Sequence, residues 1–78
     1  MYKIVYFVPE SHLEEVKNAV FAAGAGKIGD YEHCCWQTEG LGQFKPLPGS
    51  SPTIGETNKI ATVPEVKIEL ILTANVLE

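Results

Sequence analysis

The fold of this chain is indicated by its opening stretch, YKIVYFVPESHLEE (residues 2–15), in which the pattern of a strand is followed by the start of a helix. Residues 2–8 are β-branched, aromatic and apolar on both faces, which is typical of a strand inside a sheet rather than at its edge. Pro9 and Glu10 end that strand. Ser11 and Glu14 then have the spacing of a capping box, in which the serine hydroxyl accepts a hydrogen bond from the Glu14 amide. We therefore predict a strand over 2–8 and a helix that begins at Ser11.

The predicted helix spans residues 11–23 and has one apolar stripe. The stripe recurs at spacings of three, four and three residues and consists of Leu13, Val16, Val20 and Ala23. Gly24 follows, and glycine readily adopts the left-handed conformation with which many helices end. The stripe predicts that this helix packs on one face of a sheet.

Two further strands are predicted downstream. Residues 31–38 alternate as a strand, and one of its faces carries Tyr31, His33, Cys35 and Gln37. Residues 66–72 alternate more clearly and should pair with that strand as an antiparallel hairpin. Between them, residues 39–64 are rich in proline and glycine and predict a long loop, a feature that is usually functional or disordered in a compact domain.

The order strand, helix, strand, long loop, strand predicts a single α+β domain over residues 1–78. It is the β-α-β-β start of a ferredoxin-like β-α-β-β-α-β sandwich, without the second helix and the fourth strand. One helix covers only part of one face of a three-stranded sheet. We therefore expect exposed apolar surface, which another subunit covers unless the chain is a shortened form.

The composition excludes several classes of function. The chain has 78 residues, 45% of them hydrophobic, and a net charge of −4 with no arginine and no basic cluster. These features argue against binding to nucleic acids or to anionic membranes. No run approaches the roughly 18 apolar residues of a membrane span, so we expect a cytoplasmic protein. The adjacent Cys34 and Cys35 are expected to be reduced thiols.

Three segments together carry a family resemblance: GAGKIGDYEHC (24–34), TEGLGQFKP (38–46) and IGE (54–56). With them the chain resembles the PII-like, CutA-like domain inserted in YqfO-type proteins of the Nif-three-like family, a domain that also occurs as a free-standing small protein. The resemblance implies a ferredoxin-like sandwich that associates as trimers, with the segment between the second and third strands in the place of the T-loop of PII proteins.

The resemblance also limits what is expected of the function. In the larger proteins the dinuclear metal site lies in the surrounding domains, which this sequence lacks, so their catalysis does not carry over. The family pattern continues past a Thr-x-Asn-Val-Leu-like segment into a second helix and a final strand. This chain ends at Thr73-Ala74-Asn75-Val76-Leu77-Glu78, so the C-terminal third is expected to be missing.

A divalent metal site is one chemical hypothesis. His33 and Cys35 lie two residues apart on one face of the predicted strand, where an imidazole and a thiolate can converge on zinc or copper. A third ligand would come from His12, from Glu39 or from a neighbouring subunit. The competing interpretation is that both residues simply pack on a half-buried strand, and no cofactor is firmly predicted.

A ligand site in the long loop is the second hypothesis. Its predicted residues are Thr38, Glu39, Gly40, Gly42 and Phe44. Glycine-rich turns let backbone amides approach an anion, and Trp36 and Phe44 can line a pocket between subunits. The alternatives are a bend or bulge at the glycines and a place in the core for the two aromatic residues.

Three functions remain open on these grounds. The first is a non-catalytic, oligomeric PII/CutA-like module that is regulatory, or that binds a small ligand or a protein partner through the long loop. The second is a small metal-binding or metal-homeostasis protein that uses His33 and Cys35. The third is a structural fragment of a larger enzyme. Enzyme activity is not expected of the chain, because it shows no nucleophile with a base and an orienting acid.

Overall fold

The computed structural model describes residues 1–51 and 55–73 and is an α+β fold with three antiparallel strands and one α-helix. The elements are β1 (Tyr2–Val8), α1 (Leu13–Ala22), β2 (Trp36–Phe44) and β3 (Ala61–Leu72). The sheet order is β1-β3-β2, and both pairings are antiparallel. The predicted fold class and the predicted hairpin are therefore confirmed. Ile54 of the third resemblance segment and the chain end from Ala74 onward lie outside the described residues.

Strand β1 has the predicted bounds, but among the described residues it lies at an edge of the sheet rather than at the predicted place inside it. In the described part of the chain it pairs only with β3, from Tyr2 opposite Leu72 to Val8 opposite Val66. Two apolar faces were interpreted as a sign of two neighbouring strands. Burial of a strand's faces depends on what packs above and below the sheet, however, and is independent of what pairs at its edges.

The helix is shorter than predicted, and its capping box is absent. A 3-10 turn spans Glu10–His12, and α1 runs over Leu13–Ala22 rather than 11–23. The Ser11 hydroxyl lies 2.8 Å from the Nδ1 atom of His12, and neither turn nor helix has a side-chain hydrogen bond at its N-cap. The serine side chain has bonded to its neighbour instead of the backbone, so the chain enters α1 through the tighter turn.

The second strand begins five residues later than predicted, because the preceding segment makes other backbone bonds. The Gly26 amide donates to the Ile71 carbonyl at 2.8 Å, and the Cys34 amide donates to the Gly26 carbonyl at 2.8 Å. Between these two residues a tight turn is closed by paired 2.9 Å bonds between Ile28 and Tyr31. Gly26 therefore occupies the edge of β3 that an earlier start of β2 would have filled.

The predicted loop over 39–64 is also shorter in the structure. Strand β2 continues to Phe44 and β3 begins at Ala61, five residues before its predicted start, so the connection is 45–60. Pro64 lies within β3 opposite Leu41, beyond the last residue that pairs with β1. A proline is tolerated there because β3 has a neighbour on only one side at that point, and the missing N–H group leaves no bond unmade.

The core lies between α1 and the strands β1 and β3. Its buried members are Val8, Ala25, Val66, Ile68, Leu70 and Leu72. Three of the four residues of the predicted helix stripe pack against them, namely Leu13, Val16 and Val20, whereas Ala23 is exposed. Helix α1 thus covers one face of the sheet, and the opposite face, which we call the open face, has no covering layer in the described residues.

Candidate functional site

The open face combines exposed aromatic side chains with a charged centre. Alternation along the strands places Val5 and Phe7 of β1, Trp36 of β2 and Ile71 of β3 on this face. Phe7 and Trp36 keep 63% and 68% of their surface exposed. Large apolar side chains grouped on one uncovered face mark a binding surface more often than isolated exposed residues do. The predicted leftover apolar surface is therefore present.

The charged centre of the open face is Glu69 in the middle strand. Its carboxylate lies 3.0 Å from the Lys3 ammonium and 3.8 Å from the Lys67 ammonium. The hydrogen bond from Lys3 is the main reason why the pKa of Glu69 lies below its ordinary value. The contact with Lys3 links β1 to β3, whereas the longer contact with Lys67 lies within β3.

A groove of about 190 Å³ opens on this face where β1 ends. It is lined by Phe7, Thr38, Glu39, Gly40, Leu41, Gly42, Glu65 and Lys67. Two glycines make room for it in different ways. A Cβ atom at Gly40 would meet nothing within 4 Å, whereas one at Gly42 would collide with the Glu65 carboxylate that lies across β2. The groove thus presents an aromatic ring, a hydroxyl, an ammonium group and carboxylates to one small volume.

The structure brings four of the five predicted ligand residues together. Thr38, Glu39, Gly40 and Gly42 line the groove, but Phe44 does not. The Phe44 ring instead lies against Gly55, where an added Cβ atom would be 3.3 Å from it. The prediction of a core position is wrong for Trp36, whose indole N–H donates to the Thr38 hydroxyl at 3.1 Å on the exposed face.

Sequence reasoning missed the other half of this groove. Phe7, Glu65 and Lys67 come from β1 and β3, far from the glycine pair along the chain. The register of the three strands brings them together, since Phe7 lies opposite Lys67 and Lys67 lies opposite Thr38. The alternation of 66–72 already placed Lys67 on the face away from the core, and this was the available signal.

A second groove of about 320 Å³ lies at the other end of the open face. Its lining combines apolar residues with the Lys3–Glu69 pair and consists of Lys3, Ile28, Cys34, Cys35, Trp36, Glu69, Leu70 and Ile71. The turn that delays the start of β2 supplies Ile28 and the cysteines. This groove was not predicted, because it depends on the Gly26–Ile71 bond that holds the turn against β3.

The geometric premise of the predicted metal site is wrong. Residues 33 and 35 precede β2, so they do not share a strand face. His33 has a left-handed backbone with φ of 58° and stacks its ring on Phe21 with centroids 4.8 Å apart, while Cys35 packs against the core. The two candidate third ligands lie elsewhere, with His12 bonded to Ser11 and Glu39 in the groove. Among residues 1–51 and 55–73, no three His, Cys, Asp or Glu side chains are grouped to hold a metal ion.

On the helix side of the sheet, one buried polar atom has no partner in the described structure. The Tyr6 hydroxyl is buried without a hydrogen bond, and burial, followed by the nearby Cys35 thiol, raises the pKa of this phenol. Lys17 partly opposes that shift, but its ammonium is engaged by Glu14 at 3.0 Å and by Gln37 at 2.9 Å. Cys35 thus packs against the core and also contributes to the lining of the second groove.

None of the helices in the described ranges has the length and apolar character needed to cross a membrane.

The chain is similar to known proteins over nearly its whole length. It is 45% identical over 73 residues to a GTP cyclohydrolase 1 type 2 homolog of Halalkalibacterium halodurans, covering 94% of this chain and 20% of that protein. The homolog of the same name from Bacillus subtilis is 43% identical over 74 residues, which are 95% of this chain and 20% of that protein. The chain therefore spans about a fifth of the length of these relatives. No family model matches it.

The structural comparison agrees with the sequence comparison. The crystal structure of a Bacillus cereus protein related to NIF3 superposes with a TM-score of 0.79 at 43% sequence identity. The match covers 96% of this chain and 18% of that one. The predicted resemblance to the Nif-three-like family is confirmed, and the fold of this chain recurs within a larger protein.

Proposed function

Because this chain is similar to one segment of the Nif-three-like GTP cyclohydrolase 1 type 2 homologs, we propose that it is a non-catalytic binding module of that family. Its proposed role is regulatory, through a small ligand or a protein partner held at the open face beside the β2–β3 hairpin. The observation that carries this proposal is the groove in which Thr38, Gly40 and Gly42 meet Phe7 and Lys67.

The groove has the chemistry of a site for a small amphipathic anion or an acidic side chain. The Phe7 ring offers an apolar surface, and Lys67 and Thr38 offer donors beside it. The Lys67 ammonium has only a distant contact of 3.8 Å with Glu69, so it is loosely held and able to turn toward a bound group. Because Gly40 and Gly42 have no side chains, a bound group can approach the backbone of β2 closely.

We further propose that the module works as a homo-oligomer in the cytoplasm, with a trimer as the favoured form. The exposed Phe7, Trp36 and Val5 give each copy an apolar patch that a second copy covers. A small domain hides a modest fraction of its surface on folding, so association supplies stability that the isolated core lacks. A groove at the rim of such a contact would be completed by the neighbouring subunit.

Catalysis is not part of the proposal. The relatives are named as homologs of a GTP cyclohydrolase, but this chain spans a fifth of their length. The Ser11 hydroxyl and the His12 ring bond to each other on an exposed turn, and neither lines the two grooves of the open face. We expect the chain to leave GTP unconsumed over hours, which chromatography of the nucleotide measures. Turnover of GTP that survives repurification would contradict this part of the proposal.

The groove is tested with a probe of matching chemistry, the aromatic anion anilinonaphthalene sulfonate. We expect binding with a fluorescence increase, weakened about tenfold by Lys67→Gln and abolished by Gly40→Trp, which fills the groove from an unobstructed position. Leu47→Trp places the same indole ring at an exposed site outside the groove and is the control. Equal binding by Gly40→Trp and by the control variant would refute the groove as a ligand site.

The metal-binding alternative stays a prediction with its own test. It expects stoichiometric zinc or copper that is lost when His33→Ala and Cys35→Ser are combined. The imidazole of His33 stacks on the Phe21 ring, so it would have to leave that ring before it could bind a metal ion together with Cys35. Metal analysis of the purified protein and of the double variant decides this alternative independently of the groove.

A further inference from the structure

The groove of about 190 Å³ contains two opposite charges that do not pair with each other. Glu65 and Lys67 lie two residues apart on β3, so their side chains leave the same face of the sheet roughly 7 Å apart. Long side chains of opposite charge can reach each other over that separation. In the described part of the chain, however, no salt bridge joins them, and Glu65 makes none with any other lysine.

The two side chains lean in opposite directions along β3. The Lys67 ammonium lies 3.8 Å from the Glu69 carboxylate, toward the end of the strand. The Glu65 carboxylate lies across β2 over Gly42, which pairs with Val63 and so lies toward the start of β3. The glycine permits this position, because a Cβ atom there would collide with the carboxylate. The groove therefore keeps an ammonium group and a carboxylate apart.

A hydroxyl group beside the ammonium group is oriented as a hydrogen-bond donor. The Thr38 hydroxyl accepts the indole N–H of Trp36 at 3.1 Å. An indole N–H can only donate, so the proton of the hydroxyl is left for another acceptor. Thr38 lies directly opposite Lys67 in the strand register. These two residues form a donor end of the groove, and Glu65 forms an acceptor end.

We propose that this groove binds a small zwitterion of the α-amino acid type with an apolar side chain. The carboxylate of the ligand accepts hydrogen bonds from Lys67 and Thr38, and its ammonium group donates to Glu65. Its side chain packs on the Phe7 ring, which lies opposite Lys67. At about 190 Å³ the groove is smaller than sites for drug-sized molecules, which favours a ligand of this size. The inference rests on the proposed function, since it names the ligand class of the same groove.

The pair of separated charges selects a zwitterion over simpler ions. A plain anion at Lys67 leaves the Glu65 carboxylate unpaired beside a like charge, and a plain cation at Glu65 leaves the ammonium group in the same position. A zwitterion satisfies both ends at once. Selectivity therefore comes from the polar group that each competing ligand fails to pair.

Three probes that share one carbon skeleton test the proposal on the wild-type chain. Leucine carries both charges, isocaproate lacks the ammonium group and isoamylamine lacks the carboxylate. Isothermal titration calorimetry measures the three dissociation constants. Trp36 is the one tryptophan of the chain and bonds to Thr38, so its fluorescence reports binding at the groove. We expect leucine to bind about tenfold or more tightly than either analogue.

Variants that remove one charge assign the two ends of the ligand. Glu65→Gln should weaken leucine binding about tenfold and leave isocaproate bound at least as tightly as before. Lys67→Gln should also weaken leucine binding and leave isoamylamine bound at least as tightly. Glu56→Gln and Lys59→Gln make the same changes of charge in an exposed pair outside the groove and should leave leucine binding unchanged.

The outcomes separate this inference from the proposed function. If anilinonaphthalene sulfonate binds and Gly40→Trp abolishes its binding, but leucine binds no more tightly than isocaproate, the groove is an anion site and the zwitterion is overturned. Tightest binding of isoamylamine overturns it as well. Equal losses of leucine binding in Glu65→Gln and Glu56→Gln would place the ligand outside the groove. Failure of every probe, the sulfonate included, would overturn both the inference and the proposed function.

Discussion

The body and the arm of this molecule are stabilised in different ways. The body is the part in which all three strands and α1 are packed together. The arm, residues 40–51 and 55–65, is the part of the hairpin that extends past the end of β1, and the fold measures 48 × 25 × 17 Å. The body has Ile68 with 0% exposure at its centre, whereas Leu41 in the arm is 72% exposed. Burial of apolar surface stabilises the first region, and backbone geometry shapes the second.

The arm owes its shape to local contacts. The Asn58 amide donates to the Pro46 carbonyl at 2.7 Å, and the Ser50 hydroxyl donates to the Leu47 carbonyl at 2.7 Å. The ring of Phe44 lies against Gly55. A two-stranded ribbon with so little burial is marginally stable by itself, so the arm depends on the body for its position. The sequence thus concentrates stability in the body and binding chemistry at the junction of the body with the arm.

The largest expected effect contrasts the two regions directly. Ile68→Ala should cost about 2–5 kcal/mol of unfolding free energy, because it leaves a cavity at a fully buried position. Leu41→Ala in the arm should change it by less than about 0.5 kcal/mol. Urea denaturation followed by circular dichroism measures both. Similar losses of unfolding free energy in the two variants would show that Leu41 is packed in solution. The arm would then be stabilised by burial in the same way as the body.

Alanine substitutions at two glycines compare the backbone of the body with that of the arm. Gly26 in the body has φ of 81°, and an added Cβ atom would lie 2.9 Å from the Cys34 carbonyl oxygen and 2.9 Å from the Phe21 ring. Gly26→Ala should therefore destabilise the protein by about 2 kcal/mol. Gly40→Ala meets open space and should be within about 0.5 kcal/mol of wild type. Thermal melts compare them, and a Gly26→Ala variant as stable as the wild type would contradict the left-handed backbone and the close contacts at this position.

Ion pairs in the two regions should differ in their pH dependence. The pKa of Glu69 lies below its ordinary value of 4.5 because Lys3 donates a hydrogen bond to it. The ionised group therefore adds stability above that value, and this stability is lost as the pH falls through the lowered pKa. Glu69→Gln should remove this acid dependence. Glu56→Gln, which breaks the exposed pair with Lys59 in the arm, is the control and should leave it unchanged.

The smallest effect concerns the one buried polar atom that lacks a partner in the described part of the body. Tyr6→Phe should be neutral or stabilising by less than about 0.5 kcal/mol at neutral pH, because the hydroxyl makes no bond to lose. The raised pKa of Tyr6 contributes stability below the ordinary value of 10.0 that is lost at more alkaline pH, and the variant should lack this loss. Ser50→Ala, which removes a formed hydrogen bond in the arm, should be the more damaging of the two at neutral pH.

Much of the fold could be predicted from local pattern, whereas contacts between distant residues caused errors that no local pattern could prevent. Residues 2–8, the apolar stripe of α1 and the alternation of 66–72 each report a strong periodicity that depends only on the chain itself. The predicted start of β2 was wrong because a backbone bond from Gly26 to the distant strand β3 occupies that edge. The same applies to Phe44, whose ring met Gly55 rather than the groove.

The sequence by itself therefore determined the class of the fold, the side of the sheet that α1 covers and the presence of leftover apolar surface, because these follow from spacing along the chain. Long-range contacts were needed to establish that Phe7 and Lys67 join the glycine pair and that His33 and Cys35 do not share a strand face. Strand order and register join residues that are distant in sequence. Those choices depend on the best total packing of all elements, for which no local pattern carries a signal.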